Sequence, residues 1–150
     1  MRWEPGPGNQ VVVLEKLGRA GTIRANGASV GTTVGTLGAY LDTPWAWGFP
    51  GGSAPLAAPQ ASEVDDASDA GRVVGYTFVY AGDNPKRPWT VFDGATEWLP
   101  VPDERETDRV TDLRVNACGS IVARQAYANR AVRGLLWTRF KCDLLPPTPR

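Results

Sequence analysis

Apolar positions along this chain come in short runs and rarely fall at helical spacing. The run Arg72-Val73-Val74-Gly75-Tyr76-Thr77-Phe78-Val79-Tyr80 is β-branched and aromatic, and turn residues bound it: Asp69-Ala70-Gly71 before, Gly82-Asp83-Asn84-Pro85 after. That pattern predicts a strand. Trp89 to Phe92 predicts a second, closed by Asp93-Gly94, a pair suited to a tight hairpin turn. Glu97 to Val101 predicts a third. A weaker fourth falls near Val64, or near Val110 to Val115 later in the chain. Helix-compatible residues gather only between Ala123 and Leu136 (Arg124, Gln125, Ala126, Ala131), and the repeat pattern assigns strand and loop there.

The strand-like runs recur. Ala67 to Gly75 has a counterpart 44 residues earlier, Ile23 to Gly31, and another 48 residues later, Val115 to Ala123. The matched columns include Gly27/Gly71/Gly119 and Val30/Val74/Val122. A second block, Pro88-Trp89-Thr90-Val91, follows Pro44-Trp45-Ala46-Trp47 by 44 residues and precedes Gly134-Leu135-Leu136-Trp137 by 46. Each copy runs into a Leu-rich, Pro-ended stretch. A half-copy stands first: Trp3 lies 44 residues before Trp47, and Val11 to Leu17 takes the Leu-rich place.

Four short strands per unit of this length is the cadence of a propeller blade. The sequence therefore predicts an all-β fold of three and a half tandem four-stranded repeats, partly β-propeller-like, with a β-trefoil as the alternative. The units are residues 1–17 (half), 18–60, 61–103 and 104–150 of a single repeat domain. Closed propellers use about 4–8 blades. The expectation is thus a piece of a longer secreted protein, or self-association of two copies into one ring. The glycine column sits where a turn enters a strand and a positive φ is needed. The columns Ile23/Ala67/Val115 and Trp47/Val91/Trp137 are apolar and are expected between packed sheets.

The two blocks resemble the unit of HAF-repeat proteins, predicted extracellular proteins of bacteria, which reads roughly Ile-Asn-Asp-x-Gly-x-Val-Val-Gly, then His-Ala-Phe-Leu-Trp, then a Leu-rich end. Ala67 to Gly75 and Val115 to Ala123 match the first part; Arg87 to Val91 and Arg133 to Trp137 match the aromatic part. Thr43-Pro44-Trp45, Arg87-Pro88-Trp89 and Arg133-Gly134-Leu135 replace the His-Ala-Phe tripeptide. The resemblance implies a β-propeller-like fold and an extracellular setting, with no defined reaction.

Composition narrows the chemistry. The 150 residues hold 16 Lys+Arg, 16 Asp+Glu and no His. Without His there is no Ser-His-Asp triad, Cys-His pair or His-ligated zinc from this chain. Zero net charge argues against a nucleic-acid partner, which calls for a positive field. No apolar run reaches the length of a membrane span. Residues 1–8 carry no signal-peptide core as written. The compartment is therefore expected to be extracellular if an upstream signal exists, with a cytoplasmic one the alternative.

Four features carry candidate chemistry. The acidic stretch Glu63, Asp65, Asp66, Asp69 has the density of a calcium loop, with Asp65, Asp66 and Asp69 as ligands; Ala70 breaks the template, and a solvated turn capping a strand is the plainer reading. No other cofactor is indicated. Glu63, Asp66, Glu97 and Asp112 are candidates for a glycosidase carboxylate pair, but nothing singles out two of them. Cys118 and Cys142 either form a disulfide between neighbouring strands of one unit or are buried thiols. Among six Trp, Trp98 beside Glu97 lies outside the repeat columns and is the candidate sugar-stacking platform. The function expected is a non-catalytic β-repeat module that binds a glycan or protein, or serves a structural interaction. A glycoside-hydrolase-like or carbohydrate-binding domain is the alternative.

Overall fold

The structure is a computed structural model that describes residues 18–23, 29–33, 43–47, 53–59, 61–77, 87–102, 109–127, 131–139 and 141–143. Every regular element among them is a strand. The first sheet is the meander β1 (Gly18–Ile23), β2 (Ser29–Thr33), β3 (Thr43–Trp47), β4 (Ser53–Pro55). The second is the meander β5 (Ser62–Ala67), β6 (Val73–Thr77), β7 (Pro88–Phe92), β8 (Ala95–Trp98). The third is β9 (Arg109–Val115), β10 (Ile121–Ala126), β11 (Val132–Trp137). All neighbours pair antiparallel. The half-copy at 1–17 lies outside the described residues. The third unit departs from expectation: among the described residues it has three strands where four were predicted.

Matched segments adopt matched conformations. The β5–β6 and β9–β10 hairpins close identically. Ser68 N donates to Arg72 O and Gly71 N to Ser68 O; Asn116 N donates to Ser120 O and Gly119 N to Asn116 O. Gly71 and Gly119 have φ of 99° and 85°, where a Cβ is strained. The first residue of each turn accepts through its side chain: Ser68 Oγ from Arg72 N, and Asn116 Oδ1 from Cys118 N and Ser120 N. Asp93 and Gly94 both have positive φ, as a primed hairpin turn needs to follow strand twist.

Three bulges recur at one place. In β1 the register slips between Ala20 and Thr22, leaving Gly21 extra. In β5 it slips between Val64 and Asp66, leaving Asp65 extra. In β9, Asp112 and Leu113 together oppose Ala123 of β10. A bulge twists its strand and frees ladder N–H groups. The free groups are met from the preceding sheet: Thr32 Oγ1 accepts from Val64 N, Asp65 Oδ2 from Leu113 N and Asp66 Oδ2 from Val115 N.

The sheets stack in chain order, with β5 against the first sheet and β9 against β5 and β6. Val30, Val64, Val73, Trp89 and Val91 fill the first seam; Val74, Tyr76, Leu99, Val110, Leu113, Ile121 and Ala123 fill the second. The second sheet is covered on both faces, so Val73 and Val74, adjacent on β6, are both buried, on opposite sides. β10 alternates buried and exposed residues, and Val122, which the repeat column places with Val30 and Val74, is exposed. Of the other apolar columns, Ala67, Val91, Val115 and Trp137 pack at the seams.

Cross-strand pairs explain the tryptophans. Trp45 stands opposite Gly31, and Trp89 opposite Gly75. A Cβ on Gly75 would run into the Glu63 carbonyl oxygen and the Trp89 ring. In the third sheet both members differ: Leu135 stands opposite Ala123. A smaller ring-side partner leaves room for a methyl group. We expect Gly75→Ala to cost about 3 kcal/mol in urea unfolding and Trp89→Ala about 3–5 kcal/mol. The double variant Gly75→Ala/Trp89→Leu copies the third sheet and should recover part of the loss. Strict additivity in that double-mutant cycle would disprove the coupling.

Candidate functional site

A cleft of about 860 Å³ opens between the second and third sheets. Phe92, Glu97, Trp137, Arg139, Lys141 and Asp143 are among its walls. Its floor is a buried ion pair. Arg72 follows the Gly71 turn, and its guanidinium donates from Nε to Asp143 Oδ2 at 2.6 Å and from Nη2 to Oδ1 at 2.9 Å. The two side chains are 3% and 5% exposed. Arg72 Nη1 also donates to Thr90 Oγ1, and the guanidinium lies 4.4 Å from the Phe92 ring centroid. The planar fork is thus met by a bidentate carboxylate, a hydroxyl and one aromatic face, partners that suit a guanidinium.

Asp143 is held in place from behind. Its N–H donates to Cys118 O, and Cys142 beside it is disulfide-bonded to Cys118. Gly119 next to Cys118 leaves no room for a Cβ, which would strike the Asp143 carboxylate and Arg72 Nε. The disulfide is one of the two outcomes weighed for these cysteines, but it does not join neighbouring strands. Cys118 lies in the β9–β10 turn, and Cys142 follows β11 in an irregular segment.

At the mouth, Arg139 Nη2 donates to Glu97 Oε2 at 2.9 Å, and Trp137 Nε1 donates to Pro100 O at 2.8 Å. Glu97 faces the third sheet. Trp98, its neighbour on β8, pairs with Trp89 on the opposite face and carries the Arg87 guanidinium 4.9 Å from its ring centroid. The structure therefore separates the two residues that the sequence joined as one ligand site. Trp98 remains exposed.

The acidic stretch has a different place. Asp65 and Asp66 sit in β5 and clip it to β9, Glu63 Oε2 accepts from Tyr76 Oη, and Asp69 lies in the exposed turn. Among the described residues no three His, Cys, Asp or Glu side chains are grouped to hold a metal ion. Asp65 has its pKa raised, chiefly by burial and further by the charges of Glu63 and Asp112; the Leu113 N–H and the Arg114 charge pull the other way.

Sequence reasoning missed Arg72 and Asp143. The available signal was that Arg72 stands where the other copies have Ala28 and Ser120. No family model, curated protein or solved structure matches this chain.

Removing Asp143 leaves a buried cation alone, so Asp143→Ala should cost about 3–5 kcal/mol. Replacing both cysteines by Ser should cost about 3 kcal/mol for a loop of this size. The disulfide holds Asp143 against Arg72, so the combined variant should lose less than the sum in chemical denaturation. Asp65 gives a pH test. A raised folded-state pKa means the folded chain binds the proton more tightly, so this contribution is complete below the unfolded pKa and is lost as pH rises through the folded one. Asp65→Asn keeps an acceptor for Leu113 N. Its urea midpoint relative to the parent should climb between about pH 3 and pH 7; parallel profiles would refute the assignment.

Proposed function

We propose that this chain is a non-catalytic β-repeat module of the propeller type, related to HAF repeats and active in an oxidising, extracellular setting. It acts by presenting surfaces to a glycan or protein. One observation carries this: each acid considered for hydrolysis has a structural partner. Glu63 accepts from Tyr76, Asp66 from Val115 N–H and Glu97 from Arg139, while Asp112 lies 4.0 Å from Arg124. Paired hydrolytic carboxylates need a free, facing arrangement about 5–10 Å apart, and in the cleft Glu97 and Asp143 are each bound to an arginine.

Strand pairing inside each unit, with units leaning on one another in chain order, supports the propeller type over the trefoil. The Cys118–Cys142 bond supports an oxidising compartment, where such bonds persist. No helix among the described residues is long and apolar enough to cross a membrane.

Incubation with a panel of nitrophenyl glycosides should release no chromophore above the protein-free rate. Release that Glu97→Gln abolishes would overturn the proposal in favour of a hydrolase. A glycan array probed with the whole chain tests the glycan version: capture weakened by Trp98→Ala supports it, and an empty array overturns it.

A further inference from the structure

The irregular segment after β11 forms the third-unit wall of the cleft. Arg139, Lys141, Cys142 and Asp143 line it, together with Phe92 and Glu97 of the second sheet. Three ties fix that wall. Arg139 bonds Glu97 across the mouth, with the two side chains 26% and 59% exposed, and an ion pair so open to water holds weakly. Asp143 reaches Arg72 in a buried pair, whose attraction desolvation largely offsets. The third tie is the Cys118–Cys142 bond, with the Asp143 N–H donating to Cys118 O beside it. This covalent tie is open to solvent: Cys142 is exposed and Cys118 half-buried. Neither cysteine belongs to a strand or to either hydrophobic seam among the described residues. The bond pins the wall, while the seams hold the stack of sheets.

We propose that the Cys118–Cys142 bond is a reducible latch on this cleft. A dithiol reductant opens it in the folded protein, and the Lys141–Asp143 wall then lets go of Arg72. A thiolate of the dithiol attacks the exposed sulfur of Cys142. That forms a mixed disulfide and expels the Cys118 thiolate, which takes up a proton. The second thiol of the reductant then displaces Cys142, leaving two cysteine thiols and the oxidised dithiol. Two electrons and two protons pass from the dithiol to the protein. With the link cut, Asp143 is no longer held at high effective concentration beside Arg72, and water entering the cleft hydrates both ions. Arg72 is the group this uncovers. It changes from a paired cation at 3% exposure to an open one, with Thr90 and Phe92 still beside it. The oxidised chain presents a neutral floor to the cleft and the reduced chain a positive one.

Treating the native full chain with millimolar dithiothreitol at neutral pH tests this. Both thiols should become titratable without denaturant, and the circular dichroism spectrum should stay unchanged. The thiols are then alkylated with iodoacetamide, the reductant is removed and trypsin is added. Cleavage after Lys141, read by mass spectrometry, should be about tenfold or more faster than in the oxidised chain. Cleavage after Arg124, inside β10, reports opening of the sheet and should stay slow. Untreated Cys118→Ser/Cys142→Ser should match the reduced chain at both positions. A bond that yields only in urea, a circular dichroism spectrum lost on reduction, equal cleavage after Lys141 in both forms, or cleavage after Arg124 that rises in step would each overturn the latch. Those results leave the module proposal standing, whereas glycoside turnover would overturn the module and leave a measured latch intact.

Discussion

A backbone N–H that is buried between two sheets must find an acceptor, because leaving it bare costs about as much as a lost hydrogen bond. In this protein a bulge recurs at one place in the first strand of each sheet, and in β5 and β9 N–H groups beside it find acceptors outside their own sheet. In both, the acceptors come from the sheet before. Thr32 serves Val64, and Asp65 and Asp66 serve Leu113 and Val115. The hydrophobic seams supply most of the driving force, but apolar contact alone does not fix how far one sheet slides over the next. The directional bonds at the bulges do, and they tie each sheet to its chain neighbour. Asp65 occupies the bulge itself, so the kink that frees one set of N–H groups also aims the carboxylate that satisfies the next.

Stacking also explains why similar repeats look different residue by residue. A sheet covered on both faces needs apolar residues on both, and β6 with β7 is nearly continuously buried. A sheet covered on one face alternates, and β10 and β11 do. Val122 holds the same place in its unit as Val74, yet lies open, because what buries the valine column is the following sheet. The Gly75–Trp89 pair shows the local counterpart: a ring lies over a residue without a side chain, and where Ala123 has one, Leu135 replaces the ring.

Much of this architecture could be read in the sequence, and the limits are physical. The strands β6 and β7, the Asp93-Gly94 turn and the positive φ of Gly71 and Gly119 all follow from short-range rules about β-branching, turn chemistry and Cβ sterics. Those rules act over a few residues and are repeated, so the chain states them more than once. The acidic stretch was opaque for the opposite reason. Asp65 and Asp66 look like solvated or metal-binding carboxylates until the N–H groups they serve, 48 and 49 residues away, are known. Glu97 and Trp98 are adjacent in sequence and were joined on that account, but period-two alternation in a strand sends them to opposite faces. The fourth strand of the third unit was expected from the repeat; an irregular segment stands at Lys141 to Asp143.

That segment shows what holds a stretch that is irregular where its counterpart in the second unit is a strand. In the second sheet β8 covers β7 and carries Glu97 and Trp98. In the third, Lys141 to Asp143 are tied by a backbone bond to Cys118, a disulfide and a bidentate ion pair reaching back to Arg72, and Arg139 just before them bonds Glu97 of β8. A buried ion pair by itself is poor evidence for stability, since desolvation offsets its attraction. Its worth here is geometric. Arg72 accepts one carboxylate orientation, Gly119 admits no bulk beside it, and the covalent link keeps Asp143 within reach, so together they specify one position for the segment. Because Arg72 belongs to the second sheet and Asp143 to the third unit, that position also fixes the seam between them. A strand ladder would have held the segment through many weak, sequence-tolerant bonds; a clip of this kind does it through a few that tolerate almost no substitution.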